Sequence, residues 1–185
     1  MATVILRPSS IGGSTTGWNS GTLSNINDNN DATSWTQNSI TCFYHGALDD
    51  LDSSLSGATI NNFTITGRAK AGRAGFSQVA MSLNHSTDGI FATETENFLN
   101  LISTQTTTAR TTQQDGSSAL TYAYINNCEV VFNPDGAGTQ LYDVWVTVDY
   151  TAATGYGNSV NGVAAANIGK VNGVATANIS KVNGV

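Results

Sequence analysis

CEVVFNPDGAGTQLYDVWVTVDY, residues 128–150, is the stretch whose reading decides the fold. Two apolar runs, 128–132 and 141–150, flank Asn133-Pro134-Asp135-Gly136-Ala137-Gly138, a cluster of turn formers. In the second run Tyr142, Val144, Val146, Val148 and Tyr150 alternate with Leu141, Asp143, Trp145, Thr147 and Asp149. Successive side chains of a strand point to opposite faces. One face is therefore apolar throughout and the other mixed, as in a sheet that packs on a core by one side.

The same pattern extends N-terminally. Residues 3–7 read as a first strand stopped by Pro8, and SITCFYHG (39–46) as another. ATINNFTITGRAKAG (58–72) is anchored by Ile60, Phe63 and Ile65. FSQVAMSLNH (76–85) alternates through Val79, Met81 and Leu83. Residues 89–114 give one or two further strands, because runs of Thr favour extended backbone. Two segments break the rhythm: LDDLDSSLSG (48–57) reads as a loop with a short helical turn, and SSALTYAYINN (117–127) as a short helix or turn. The long polar stretch 9–37 is too rich in Gly, Ser and Asn for regular structure, and Ile11, Trp18, Leu23, Ile26 and Trp35 are expected to pin it to the domain. The count is about eight strands at short spacing without βαβ alternation, which predicts an all-β fold, a β-sandwich or jelly roll.

Composition agrees. Charged residues make up 11% of the 185 residues, against about 25% in ordinary soluble domains. The polar surface must come from Ser, Thr, Asn, Gln and Gly, a surface that packs against identical neighbours without accumulating like charge. The net charge of −6 argues against nucleic-acid binding, which needs clustered Lys and Arg. Only Arg68, Lys70 and Arg73 lie close together; on a strand Arg68 and Lys70 share a face, and they are expected to form a solvated edge. The N-terminus has neither the length nor the apolarity of a signal peptide and no run is long enough to span a membrane, so synthesis in a cytoplasm is expected. Cys42 and Cys128 sit among apolar neighbours, as buried thiols do, and a disulfide requires their strands to be adjacent.

From residue 152 the texture changes. Residues 152–159 are a small-residue linker, which bounds the sandwich domain at 1–151. In the tail, 160–185, Val160-Asn161-Gly162-Val163 recurs as Val171-Asn172-Gly173-Val174 and as Val182-Asn183-Gly184-Val185, a period of eleven. Glycine costs a helix interior roughly 1 kcal/mol, and no ion pairs compensate here. Asn-Gly between valines is instead the signal of a two-residue hairpin turn. Short extended pieces turned at each Asn-Gly are expected, too short to be stable alone and ordered by a partner.

Few residues carry a recognisable chemistry. His45 and His85 lie forty residues apart and no Cys-x-x-Cys, His-x-His or His-Glu-x-x-His occurs, so no metal site is predicted. Asn27-Asp28-Asn29-Asn30-Asp31 is oxygen-rich, as calcium loops are, but it lacks the spacing and closing Glu of an EF-hand and reads as turn formers. No nucleophile elbow or phosphate loop is present, and the carboxylates at Asp49, Asp50, Asp52, Glu94 and Glu96 read as solvating loops. No catalytic residue, cofactor or enzymatic activity is predicted. Trp18, Trp35, Tyr44 and Tyr156, in or near loops, could form a sugar-stacking platform, with Trp18 and Trp35 the central pair; the plainer expectation is that the two tryptophans pin the long loop.

Leu6-Arg7-Pro8, then Gly17-Trp18-Asn19, then Ile26-Asn27-Asp28 with Asp31-Ala32-Thr33, resembles the opening of jelly-roll domains in tailed-phage structural proteins. Segments 60–70 and 141–150 match the same layout of strands. The stretch from Asn27 to Trp35 is similar to the Asp-Gly-x-x-Thr-x-Trp loop of discoidin-like and carbohydrate-binding jelly rolls, with Asn in place of the usual Gly. The repeat around Lys170-Val171-Asn172-Gly173-Val174-Ala175 looks like tails of tailed-phage virion proteins. The resemblance implies a virion component assembled in a host cytoplasm. Its leading form is a capsid decoration or cement protein, a homo-oligomer with a trimer favoured, bound to the major capsid protein or other virion proteins. The alternative is a glycan-binding module of a tail fibre or baseplate. Neither involves nucleic acid or membrane.

Overall fold

The computed structural model of the chain describes residues 1–11, 23–26, 32–36, 44–72, 76–152, 170–171 and 174–175. The strands are β1 (Ala2–Leu6), β2 (Pro8–Ile11), β3 (Trp35–Thr36), β4 (Tyr44–Leu48), β5 (Thr59–Lys70), β6 (Phe76–His85), β7 (Gly89–Leu99), β8 (Ser103–Thr106), β9 (Cys128–Pro134) and β10 (Gln140–Thr151). A short helix, α1 (Tyr122–Asn126), precedes β9, and β11 (Lys170–Val171) and β12 (Val174–Ala175) lie in the tail.

The first ten strands form two five-stranded antiparallel sheets. One has the order β1-β10-β5-β8, with β3 also paired to β10; the other has the order β2-β4-β9-β6-β7. The all-β sandwich read from residues 128–150 is therefore the fold. The period-two pattern decides which side faces inward. Val144, Val146 and Val148 are each 0% exposed, and between them Trp145 and Thr147 are half-buried on the opposite face. Across the core the second sheet contributes Val79, Met81, Leu83, Val130 and Phe132, also 0% exposed. The sheets approach tightly at Gly67 of β5. A β-carbon there would lie 2.8 Å from Phe132 Cε2 and 2.9 Å from Met81 Sδ, so the glycine makes room for the facing ring.

The chain reaches this arrangement by changing sheets often. β1 and β2 are consecutive but lie in different sheets, with Arg7 between them, and β7 and β8 also separate. β9 and β10 are not paired with each other: the turn signal at 133–138 carries the chain from one sheet to the other. That crossing puts the apolar faces of the two runs opposite one another. Asp135 fixes its start, accepting from Gln78 N at 2.9 Å through Oδ1 and donating its own N–H to Gln78 O at 2.8 Å.

The sequence count of about eight strands becomes ten in the sandwich. Both additions correct the reading of 9–37 as irregular: β2 begins at Pro8 and runs into that stretch, β3 lies within it, and pairing with β4 and with β10 makes them strands despite their polar neighbours. Helix α1 takes the helical option left open for 117–127. Thr121 caps it by accepting from Tyr124 N at 3.1 Å, and Ile125 is 0% exposed. Asn126 Oδ1 accepts from Leu51 N at 2.9 Å and Tyr122 donates to Leu51 O at 2.9 Å, tying the helix to the loop before β5. The helical turn expected in 48–57 is a 3-10 turn over Ser53–Leu55.

Candidate functional site

The outward face of the β1-β10-β5-β8 sheet carries an organised polar cluster. Asp143 lies on β10, where a register shift against β5 between Leu141 and Asp143 interrupts the ladder, and it is 1% exposed. Arg7, at the point where the chain leaves β1, donates from Nη1 to Asp143 Oδ1 at 2.6 Å. The same guanidinium lies over the Trp145 indole, 5.4 Å from its centroid, within the range of cation–π attraction. A buried carboxylate thus holds an arginine, and the arginine lies against a half-buried tryptophan. Around them Thr66 pairs with Thr106 across β5 and β8, hydroxyl to hydroxyl at 3.0 Å, and Asn62 donates to Asp149 at 3.1 Å. Ile5, opposite Thr147, is 54% exposed.

A second candidate lies at one end of the sandwich. A cleft of about 500 Å³ is lined by Asp88, Gln113, Gln114 and Asp115. Nearby, His85 stacks on Tyr124 with centroids 4.0 Å apart and planes 8° from parallel. Burial raises the Tyr124 phenol above its usual range, and the Asp88 carboxylate adds to the shift. Asp115 is held down to about 2 by hydrogen bonds from Ser118 and Ser117, as a carboxylate closing a tight turn. Thr87 Oγ1 lies 3.1 Å and Asp88 Oδ2 3.3 Å from His85 Nδ1. Hydroxyl and carboxylate meet the same ring nitrogen, so this trio is not the relay that nucleophilic catalysis uses, where they occupy opposite nitrogens. Among the described residues no group of three or more His, Cys, Asp or Glu is placed to hold a metal ion.

The residues named from sequence fall differently. Trp35 is 2% exposed and belongs to the hydrophobic core, with β3 paired to β10 at Leu141. A ring this buried offers no face to a sugar, so Trp35 is not a stacking residue; it pins the long N-terminal stretch, as the plainer expectation had it. Trp18, Tyr156 and the Asn27–Asp31 run lie outside the described residues. Of the tail residues, Val171 and Val174 stand opposite one another in the β11–β12 pair. Val160, Asn161, Gly162, Val163, Asn172, Gly173, Val182, Asn183, Gly184 and Val185 lie outside the described residues. No sequence motif joins Arg7, Asp143 and Trp145, which the fold brings together. The available signal was a tryptophan on the mixed face of an alternating strand.

Cys128 is a free, buried thiol, donating to Tyr124 O at 3.3 Å, and burial pushes its pKa up to about 12. It is not half of a disulfide. Thiolate is the reactive form, so in a Cys42→Ser variant Cys128 is expected to ignore an aromatic disulfide reagent at pH 8 and to react fully in denaturant. Fast labelling of the native variant would contradict the burial.

Fold and surface define a β-sandwich of jelly-roll type with a polar, tryptophan-bearing outer face. No family model matches the chain, and no curated protein sequence does. Among solved structures it is similar to the C-terminal CBM6 of LamC, a marine laminarinase from Zobellia galactanivorans. The identity is 10% and the TM-score 0.40, over 80% of this chain and 98% of that chain.

Proposed function

We propose that this chain is a non-catalytic structural protein of a virion, a capsid decoration or cement protein. Its sandwich covers junctions between capsomers, and its tail reaches the major capsid protein and neighbouring copies of itself, which gather as a trimer. The observation that carries this reading is the eleven-residue repeat of 160–185, within which Lys170–Val171 pairs antiparallel with Val174–Ala175. A unit repeated at a fixed interval offers the same short strand again and again, which suits attachment to an array of identical neighbours. A two-stranded ribbon of this length is not stable alone in water, so it gains order by adding to a partner's strands. The low fraction of charged residues, 11%, supports the same reading, since few like charges meet where copies pack.

Deleting residues 158–185 is expected to leave the melting temperature of the sandwich within a few degrees of the full chain and to abolish binding to particles, read by co-sedimentation. Loss of folding in the truncated chain would place the tail in the core and overturn the division. Electron cryo-microscopy of particles bearing the full chain tests the location. Density confined to the tail or fibres would sink the capsid assignment and favour the second reading, a glycan-binding module of a fibre or baseplate. The Arg7–Trp145 face favours that second reading.

A further inference from the structure

We infer that the outer face of the β1-β10-β5-β8 sheet is a saccharide-binding surface centred on Trp145, with Arg7 as its second wall, and that it takes an acidic, uronate-bearing sugar. The inference rests on the glycan-binding reading of the sandwich and is independent of where the tail attaches.

Three observations combine. First, Trp145 is half-buried, with Arg7 over one face of its indole, on the outward side of a strand whose inward residues, Val144, Val146 and Val148, are 0% exposed. The core is complete without it. A sugar ring has an apolar C–H face and a polar rim, and a fixed indole bordered by polar groups matches both. Second, the platform is preorganised. Asp143, 1% exposed, anchors the Arg7 guanidinium at 2.6 Å, and Arg7 lies 5.4 Å from the indole centroid. Binding then loses little side-chain freedom, which is where surface recognition usually loses affinity. Arg7 is 31% exposed at its side chain, and a guanidinium has five N–H donors, so the one bond to Asp143 leaves it able to meet hydroxyls or a carboxylate. The border is set with hydroxyls: the Thr66–Thr106 pair at 3.0 Å, and Thr64 facing Thr147 in the ladder.

Third, charge selects the sugar. The chain carries a net charge of −6 with seven basic residues. Three of these, Arg7, Arg68 and Lys70, share this face with two acids, Asp143 and Asp149, of which Asp143 is buried beneath Arg7. The face is locally positive on a negative protein, so a sugar carboxylate is drawn to it in preference to the rest of the surface.

The test is a printed array of neutral and uronate-containing oligosaccharides, probed with the full chain and with Trp145→Ala and Trp145→Phe. The expected result is binding to uronate-containing spots. It should weaken at least about tenfold in Trp145→Ala and stay within about threefold in Trp145→Phe, with melting temperatures preserved in both. Raising the salt concentration should weaken it further. Uronate binding that survives Trp145→Ala unchanged would overturn this site and leave the glycan-binding reading standing. Binding to neutral spots alone would overturn the proposed ligand class. No binding to any spot would overturn the site and the glycan-binding reading together.

Discussion

Phe132→Ala is expected to lower the free energy of unfolding by about 3–5 kcal/mol, the usual cost of removing a core aromatic ring. The ring is 0% exposed, lies 5.8 Å from the Phe98 ring between centroids, and stands directly over Gly67 of the opposite sheet. No small local movement fills the space, because the sheets on both sides are held by their hydrogen-bond ladders. The same contact makes a coupled prediction. Gly67→Ala should cost about 1–3 kcal/mol as overpacking, since its new carbon would lie 2.8 Å from Phe132 Cε2. Met81 Sδ, at 2.9 Å, ends a flexible side chain and can yield; the phenyl ring cannot. In a Phe132→Leu background the glycine substitution should therefore cost less. Urea unfolding of the four proteins checks this, and additivity within about 0.5 kcal/mol would show that ring and glycine do not compete for space.

Gly72→Ala is the other substitution with a large expected effect, about 3 kcal/mol, and its cause is backbone against backbone. A β-carbon on Gly72 would meet Gly138 C at 2.1 Å and Ala137 O at 2.3 Å. Neither can rotate away, so the end of β5 and the turn before β10 must separate. Gly138 has φ +83°, a conformation that leaves the turn few ways to retreat. For a sandwich of this size the loss corresponds to a fall in melting temperature on the order of 10 °C. Gly89→Ala is the control. Gly89 shares φ +83° but has nothing within 4 Å of the added carbon, so it should show only the strain of the left-handed backbone, about 1 kcal/mol. Equal losses at the two positions would mean that the Gly72–Gly138 approach carries no weight.

What the sequence shows of this molecule depends on the range of the interaction. Period-two alternation is local, so Val144, Val146 and Val148 of β10 and the Val79–Met81–Leu83 row of β6 were legible, as was the face to which Trp145 belongs. The register shift between Leu141 and Asp143 breaks the alternation and puts Leu141, expected on the mixed face, into the core in place of Tyr142. The partition of strands between sheets was not legible. A turn of six residues at 133–138 serves a hairpin or a crossing equally well, and only the packing of distant strands decides. The candidate site shows the same limit. Arg7 and Asp143 are 136 positions apart, and nothing near either residue announces the other. The two tryptophans singled out for their polar surroundings gave the opposite signal to Trp145, which sits in an apolar run. Polar neighbours in sequence did not keep Trp35 out of the core, because β3 docks on β10 at Leu141 and carries it in.

The pairing of β1 with β10 sets how the molecule bears load. Ala2 stands opposite Tyr150 and Leu6 opposite Val146, so the first residues of the sandwich and the strand that leads into the tail leave from the same end, side by side. Tension between them would open the β1–β10 ladder one hydrogen bond at a time, as a zipper opens, at low force. Tension between the tail and the 135–138 turn would run along β10 and strain its bonds to β5 together, in shear. A tether that leaves through β10 therefore resists best when the opposing grip is at the far end of the sandwich.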